Sequence, residues 1–180
     1  MKRILLHVCC GPCATHPVIE LQREAFDVTL FFSNSNIHPE GEYIKRLNSL
    51  KEYAREVKIP LIIDAYDPAQ WFEAIKGYEN SPEGGARCRI CFELRLRKAA
   101  QYAKSHGFDW FTTTLTISPH KNASVINQIG IQIGKEFSIN FLPRNFKKKD
   151  GFKKSVILSK EYNLYRQDYC GCIFSAKAKK

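Results

Sequence analysis

The sequence predicts an α/β protein built on one parallel sheet with helices on both faces. Two observations predict it. Short β-rich runs alternate with helical segments along most of the 180 residues, and right-handed β–α–β crossovers are the simplest way to build such alternation. The length also suits one compact core and is short for two. With no internal repeat, low-complexity tract or linker, residues 1–180 read as a single domain.

The elements follow in order. Residues 3–8 (Arg-Ile-Leu-Leu-His-Val) read as a buried strand closed by the turn signal Gly11-Pro12. A helix to about residue 25 follows, with Val18, Leu21 and Ala25 on one face, then a second strand from Asp27 to Phe32. Tyr43, Ile44, Leu47, Leu50, Ala54 and Val57 recur at helical spacing, giving an amphipathic helix over 41–57. Pro60 to Ala65 is a third strand. Asp67 then Pro68 is an N-cap followed by a first-turn proline, opening a helix with Trp71, Phe72 and Ile75 inward. Residues 78–87 form a loop, and a long helix runs from about Cys91 to Ser105. A strand from Trp110 to Leu115, a helix capped by Asn122 and running to about Lys135, and a short strand from Ile139 to Leu142 complete the pattern.

Charge narrows the partners. Lys and Arg number 28 against 18 Asp and Glu, a net charge of +10, which favours a polyanion because neutralised phosphates release condensed counterions. Lys147, Lys148, Lys149, Lys153 and Lys154 cluster, and the chain ends Lys177-Ala-Lys179-Lys180. The apolar run Ile4–Val8 is too short to span a membrane and precedes cysteines rather than a cleavage site, so the expected location is cytoplasmic.

Seven cysteines fall into three groups: Cys9, Cys10 and Cys13; Cys88 and Cys91; Cys170 and Cys172. In a reducing compartment, grouped cysteines point to metal binding or redox work. Cys9, Cys10, Cys88 and Cys91 together offer four soft thiolates, suited to an iron–sulfur cluster or a tetrahedral zinc. Cys9, Cys10 and Cys13 follow the first strand, at the edge where parallel sheets bind ligands. Cys10-Gly-Pro-Cys13 also matches the thioredoxin-type redox motif, after a strand and at a helix start. A bridge between Cys170 and Cys172 would close a small strained ring of the reducible kind; two further metal ligands are the alternative. His7 reads as a packed core residue, and His16 and His120 as unranked proton donors. Ser35 to Pro39, with Glu42, Tyr43 and Arg46, place polar residues on the ligand-facing edge or simply cap the next helix.

Four stretches together resemble the epoxyqueuosine reductase QueH family: His7-Val-Cys-Cys-Gly-Pro-Cys-Ala14; Asn36-Ile-His-Pro39 with Glu42-Tyr43 and Arg46; Arg87-Cys-Arg-Ile-Cys-Phe-Glu-Leu-Arg-Leu96; and Tyr165-Arg-Gln-Asp-Tyr-Cys-Gly-Cys-Ile-Phe-Ser175. The resemblance implies a Rossmann-like, nucleotide-hydrolase-like α/β fold ending in a C-terminal redox segment. It implies reduction of the epoxide of epoxyqueuosine at the wobble position of tRNA, the last step of queuosine synthesis, without cobalamin. It implies a [4Fe-4S] cluster on Cys9, Cys10, Cys88 and Cys91, and a redox-active disulfide pair in Cys170 and Cys172. Cys13 is then a candidate ligand of an additional iron ion beside the cluster. The expected partners are the anticodon stem-loop of a tRNA carrying epoxyqueuosine, held by the lysine-rich segments, and an electron donor whose identity the sequence does not give. The competing expectations are a thioredoxin-like thiol oxidoreductase working through Cys10 and Cys13, and a zinc-stabilised RNA-binding module that turns over nothing.

Overall fold

A computed structural model describes residues 1–177. Five strands, β1 (Lys2–His7), β2 (Phe26–Phe32), β3 (Leu61–Ile63), β4 (Trp110–Thr113) and β5 (Asn140–Phe141), form one sheet in the order β3-β2-β1-β4-β5. Every neighbouring pair is parallel. The helices are α1 (Gly11–Arg23), α2 (Glu40–Glu56), α3 (Pro68–Ala74), α4 (Ala86–Ser105), α5 (Ala123–Phe137), α6 (Gly151–Glu161) and α7 (Ile173–Lys177), with a 3₁₀ turn at Thr114–Ile117.

The central strand shows why the sheet is covered twice. Ile4, Leu6 and Val8 point into one core, shared with Val18 and Leu21 of α1 and Leu50 and Tyr53 of α2. Leu5 points into the other, shared with Leu96 and Ala99 of α4 and Ile126 and Ile133 of α5. A strand buried on both faces needs an uninterrupted apolar run, as here. Leu5 and Leu6 each remain fully buried, and burying such a side chain contributes about 1.5–3 kcal/mol. The chain leaves β1 for β2 and β3, then crosses back to lay β4 on the other side of β1. That reversal opens a crevice beyond the carboxyl ends of β1 and β4.

The expected elements are present, and their edges differ for local reasons. The Asp67 carboxylate accepts from the Gln70 amide and the Asn122 side chain from those of Ser124 and Val125, as the capping pattern required. Ala25 lies beyond the end of α1, in a left-handed turn at φ 61°, and not on its buried face. Ile44 and Phe72 were expected inside but are 46% and 40% exposed. Each sits beside a residue that fills the core in its place, Tyr43 in α2 and Trp71 in α3. The fourth strand stops at Thr113 because the Thr113 hydroxyl accepts from the Leu115 amide and starts the 3₁₀ turn.

Helix α6 had no counterpart in the sequence reading. Its buried positions are Gly151, Ser155 and Ser159, four residues apart, and the helix packs on α1. A stripe of glycine and serine carries no hydrophobic period, so the usual helix signal is missing. A side chain at Gly151 would strike the Phe146 carbonyl and the His16 ring, which sets how closely the two helices approach. Among the described residues, no helix is long and apolar enough to cross a membrane.

His7 is a core residue, as expected. Its Nδ1 pairs with the Thr113 hydroxyl at 2.9 Å and its Nε2 with the Ser33 carbonyl at 3.2 Å. Burial, with the nearby Arg95 charge adding to it, pushes its pKa down to about 3. An unfolded histidine titrates near 6.5, so between about pH 6.5 and 3 the unfolded chain binds the extra proton. Stability should therefore be fully present above that range and fall by about 1.4 kcal/mol per pH unit across it for His7 alone. Denaturant titrations at several pH values should show that slope, and His7→Gln should make it shallower despite its own cost at neutral pH.

Candidate functional site

The crevice beyond β1 and β4 is a cavity of about 470 Å³. Cys9, Cys13 and Cys170 line it, with Arg95, His120, Lys121, Arg166, Glu83 and Asp168. The first cysteine group arises where β1 ends and α1 begins. Cys10 takes the N-cap position in extended backbone, and Gly11 and Pro12 open the helix. Cys9, Cys10 and Cys13 thus bring their sulfurs within 4.8 Å of one another. Thr114, at the end of β4, holds Cys9 from the neighbouring strand: its hydroxyl accepts from the Cys9 amide at 3.4 Å and lies 3.7 Å from the sulfur. Gln167 donates to the Cys10 sulfur at 2.9 Å.

The second group lies inside α4, which begins at Ala86 and not at Cys91 as expected. The Cys88 sulfur accepts from the Gly84 amide at 3.2 Å, and Arg87 ties the preceding loop by donating to the Glu79 and Ser81 carbonyls. Arg95 projects from the same face of the helix, four residues after Cys91. It is 3% exposed and has no carboxylate partner among the described residues. Its Nε donates to the Cys91 carbonyl at 3.2 Å, and its Nη2 has no partner. Burial opposes its charge, but the thiols of Cys91, Cys170 and Cys9 outweigh burial and raise its pKa.

The third group is held by the loop after β2 and the first turns of α2. Arg46 donates to the Cys170 carbonyl and the Tyr169 carbonyl, each at 3.0 Å, and to Glu42 at 2.7 Å. Glu42 in turn accepts from the Tyr165 hydroxyl at 2.8 Å. The His38 amide donates to the Gly171 carbonyl at 2.8 Å, and the Tyr169 hydroxyl to the His38 carbonyl. Gly171 has φ 132°, and a Cβ there would meet Arg46 and Ile37 at 3.1 Å. The polar loop after β2 leads into α2 through Pro39 at its N-cap, and together with Arg46 it clamps the C-terminal Cys-Gly-Cys turn.

The structure separates the two C-terminal cysteines. Cys170 lines the cavity, whereas Cys172 packs with Trp71, Ile75 and Cys91. Burial pushes the Cys170 thiol up, but Lys121 and Arg95 outweigh burial and hold it below the usual thiol range. Burial raises Cys172 and Cys88. The sulfurs of Cys10 and Cys13 are in contact, and Cys170 and Cys172 are free thiols. The first pair of sulfurs thus meets, and the C-terminal pair stays apart. The physical reason is position, since Cys10 and Cys13 are one helical turn apart while Cys170 and Cys172 flank a turn that faces two environments. Cys88 and Cys91 stand outside the tight group of Cys9, Cys10 and Cys13.

Of the two histidines, His120 lines the cavity, and His16 is buried on α1 beside Glu20. Sequence reasoning missed Arg95, Lys121, Thr114 and Gln167. Arg95 left a signal, a charge on the buried face of α4; the other three left none. Within the basic cluster, Lys147 donates to the Ser118 and Lys121 carbonyls and is a structural tie, not a free cation as expected. Lys148, Lys149, Lys153 and Lys154 are exposed. The side chains of Lys177, Lys179 and Lys180 lie outside the described residues.

Comparison with known proteins agrees with this geometry. The family model described as epoxyqueuosine reductase QueH matches residues 4–178. The epoxyqueuosine reductase QueH of Streptococcus pyogenes serotype M1 is 43% identical over 97% of this chain and 70% of its own length. Its counterpart in Staphylococcus aureus is 38% identical over 97% and 75%, and that of Thermotoga maritima 36% over 97% and 91%. Two solved structures share the fold. A predicted subunit of tRNA methyltransferase from Methanocaldococcus jannaschii has a TM-score of 0.61 at 13% identity, covering 89% of this chain and 75% of that one. The U34-tRNA thiolase NcsA from Methanococcus maripaludis, solved with its [4Fe-4S] cluster, has a TM-score of 0.58 at 11% identity, covering 98% and 63%.

Two outcomes follow from the geometry. Removing one partner of a buried ion pair costs about 3–5 kcal/mol, so Arg46→Leu should destabilise the chain by that order and raise hydrogen exchange at the amides of Tyr169 to Cys172. In reduced, metal-free protein, iodoacetamide should alkylate Cys170 before Cys172 near neutral pH, and Lys121→Met should slow the Cys170 reaction, both read by mass spectrometry.

Proposed function

The chain belongs to the epoxyqueuosine reductase QueH family, and on that premise we propose how its own side chains carry the reaction. It is an oxidoreductase of queuosine biosynthesis that acts on tRNA. Family membership removes the reading as a non-catalytic zinc module, and the all-parallel sheet removes a thioredoxin fold. Turning the epoxide into an alkene releases its oxygen as water and consumes two electrons and two protons. The observation that carries the assignment is the cavity in which Cys9, Cys13 and Cys170 meet Arg95 and Lys121.

Cys9, Cys10, Cys88 and Cys91 would hold a [4Fe-4S] cluster, each as a thiolate. Such a cluster supplies electrons singly at a site of four soft thiolates. The residues fit it: the buried Arg95 guanidinium lacks an anionic partner and faces thiols from all three cysteine groups, and thiolate ligands with their cluster are anionic. Cys13, on the cavity wall next to this group, offers a thiolate to an additional iron ion.

Cys170 and Cys172 form the two-electron store. Joining their sulfurs gives up two electrons and two protons, which match the demand of the epoxide: dithiol and epoxide become disulfide, alkene and water. An external electron donor then returns the pair to thiols. Lys121 and Arg95 favour the Cys170 thiolate facing the substrate, and His120 on the cavity wall is the histidine placed to deliver a proton to the leaving oxygen. The anticodon stem-loop would lie over the exposed Lys148, Lys149, Lys153 and Lys154. One observation favours a second assignment of the store: the sulfurs of Cys10 and Cys13 are in contact and those of Cys170 and Cys172 are not.

Anaerobically prepared protein should be brown, with iron and acid-labile sulfide, and Cys88→Ser or Cys91→Ser should bleach it. Zinc without sulfide in iron-replete preparations would remove the cluster from the assignment. Cys172→Ser should keep the colour and lose turnover with a thiol-dependent donor. Full turnover in Cys172→Ser, with loss in Cys13→Ser, would move the store to Cys10 and Cys13.

A further inference from the structure

We propose that Phe152 is a stacking platform for an unpaired RNA base beside the target nucleoside. This rests on the reading of the cavity as the site where the tRNA is reduced. Among the described residues, the exposed large hydrophobic side chains include Ile44, Ile63, Phe72, Tyr78, Ile131, Phe152, Ile157 and Tyr165, and of these Phe152 alone lines the cavity. It belongs to none of the three apolar cores, neither as a member nor as a side chain packed against one. The residue is 37% exposed at the rim of a polar, thiol-lined crevice. An aromatic ring in that position, outside the apolar cores, offers an exposed face to whatever enters the crevice.

Its surroundings favour a nucleobase with its phosphate. The Arg166 guanidinium lies 6.0 Å from the ring centroid and is anchored by a 3.0 Å hydrogen bond to the Ser159 hydroxyl. Both residues line the cavity, and the exposed Lys153 and Lys154 follow Phe152 in the same helix. Aromatic faces stack on splayed loop bases without regard to sequence, while neighbouring cations take the backbone. With the modified nucleoside in the crevice, the adjacent base of the anticodon loop is the one that reaches the rim. Phe152 is thus a binding residue for the loop, distinct from the cysteines that carry electrons. Its place also accounts for α6, whose Gly151, Ser155 and Ser159 stripe seats it closely on α1 and turns Phe152 outward.

The experiment measures binding of a fluorescein-labelled anticodon stem-loop RNA carrying epoxyqueuosine to the full, metal-loaded chain. Phe152→Ala should weaken binding by about 10- to 100-fold, with cluster colour and melting temperature unchanged. Phe152→Trp should bind as well as the parent. The dependence of log K on log salt should keep its slope in Phe152→Ala, whereas Lys149→Ala should lower that slope by about one. An abasic nucleotide at one position flanking epoxyqueuosine should remove the difference between Phe152→Ala and the parent. Equal binding by Phe152→Ala and the parent overturns the proposal. So does a loss that persists with abasic nucleotides on both sides, which would make Phe152 structural. Unchanged RNA binding with slower reduction by a protein donor also overturns it and makes this rim the donor's docking face. If the parent itself does not bind the RNA, the cavity is not the tRNA site, and both readings fall together.

Discussion

One buried guanidinium joins the two ends of this chain. Arg46 sits on α2, early in the sequence, and donates to the carbonyls of Tyr169 and Cys170 near the other end while paired to Glu42. It is 1% exposed, so its charge is tolerated only because these partners satisfy it together. The main-chain carbonyls it takes up belong to a turn that has no sheet or long helix to support it. Without the clamp, Cys170 would lie on a loose C-terminal segment instead of the wall of the crevice. The positive φ of Gly171 belongs to the same constraint, because the turn must pass close under Arg46 and Ile37.

The second constraint is electrostatic. Arg95 is a buried cation surrounded by thiols and offered no carboxylate. A buried charge normally finds an opposite charge from the protein. Here the candidates are sulfur atoms, which become anions only by losing a proton or binding a metal. Lys121 adds a second cation facing Cys170 and Cys9. The site is thus arranged so that negative charge on sulfur is stabilised before any ligand arrives, which costs no reorganisation when the charge appears.

The sheet decides where these residues meet. Because β4 lies beside β1, the ends of two strands distant in sequence open onto one crevice. Cys9 comes from one and Thr114 from the other, and their side chains touch. Helices α4 and α6 then approach the crevice from opposite faces of the sheet, one bringing Cys88, Cys91 and Arg95 and the other the exposed ring of Phe152. The end of β1, helix α4 and the clamped C-terminal turn hold the thiols, while the basic and aromatic rim remains on the surface, where a large polyanion can reach it.

The sequence by itself determined the strand and helix order, because apolar runs buried on both faces and helical spacings are local patterns. It also determined the grouping of the seven cysteines, a matter of spacing alone, and its motifs carried the family resemblance. Helix α6 was not legible, since a glycine and serine stripe has no hydrophobic period. The partners of the cysteines belonged to the tertiary structure. Arg95, Lys121 and Gln167 come from three separate segments, and only the folding of the sheet brings Arg95 and Lys121 to Cys9 and Cys170 and the Gln167 amide to Cys10. The clamp on Cys170 was likewise invisible, for a hydrogen bond between residues 124 positions apart leaves no trace in either neighbourhood. Lys147 shows the converse: counted in the sequence as one of several free cations, it is spent on two carbonyls of a loop that the chain reaches only after β5 is in place.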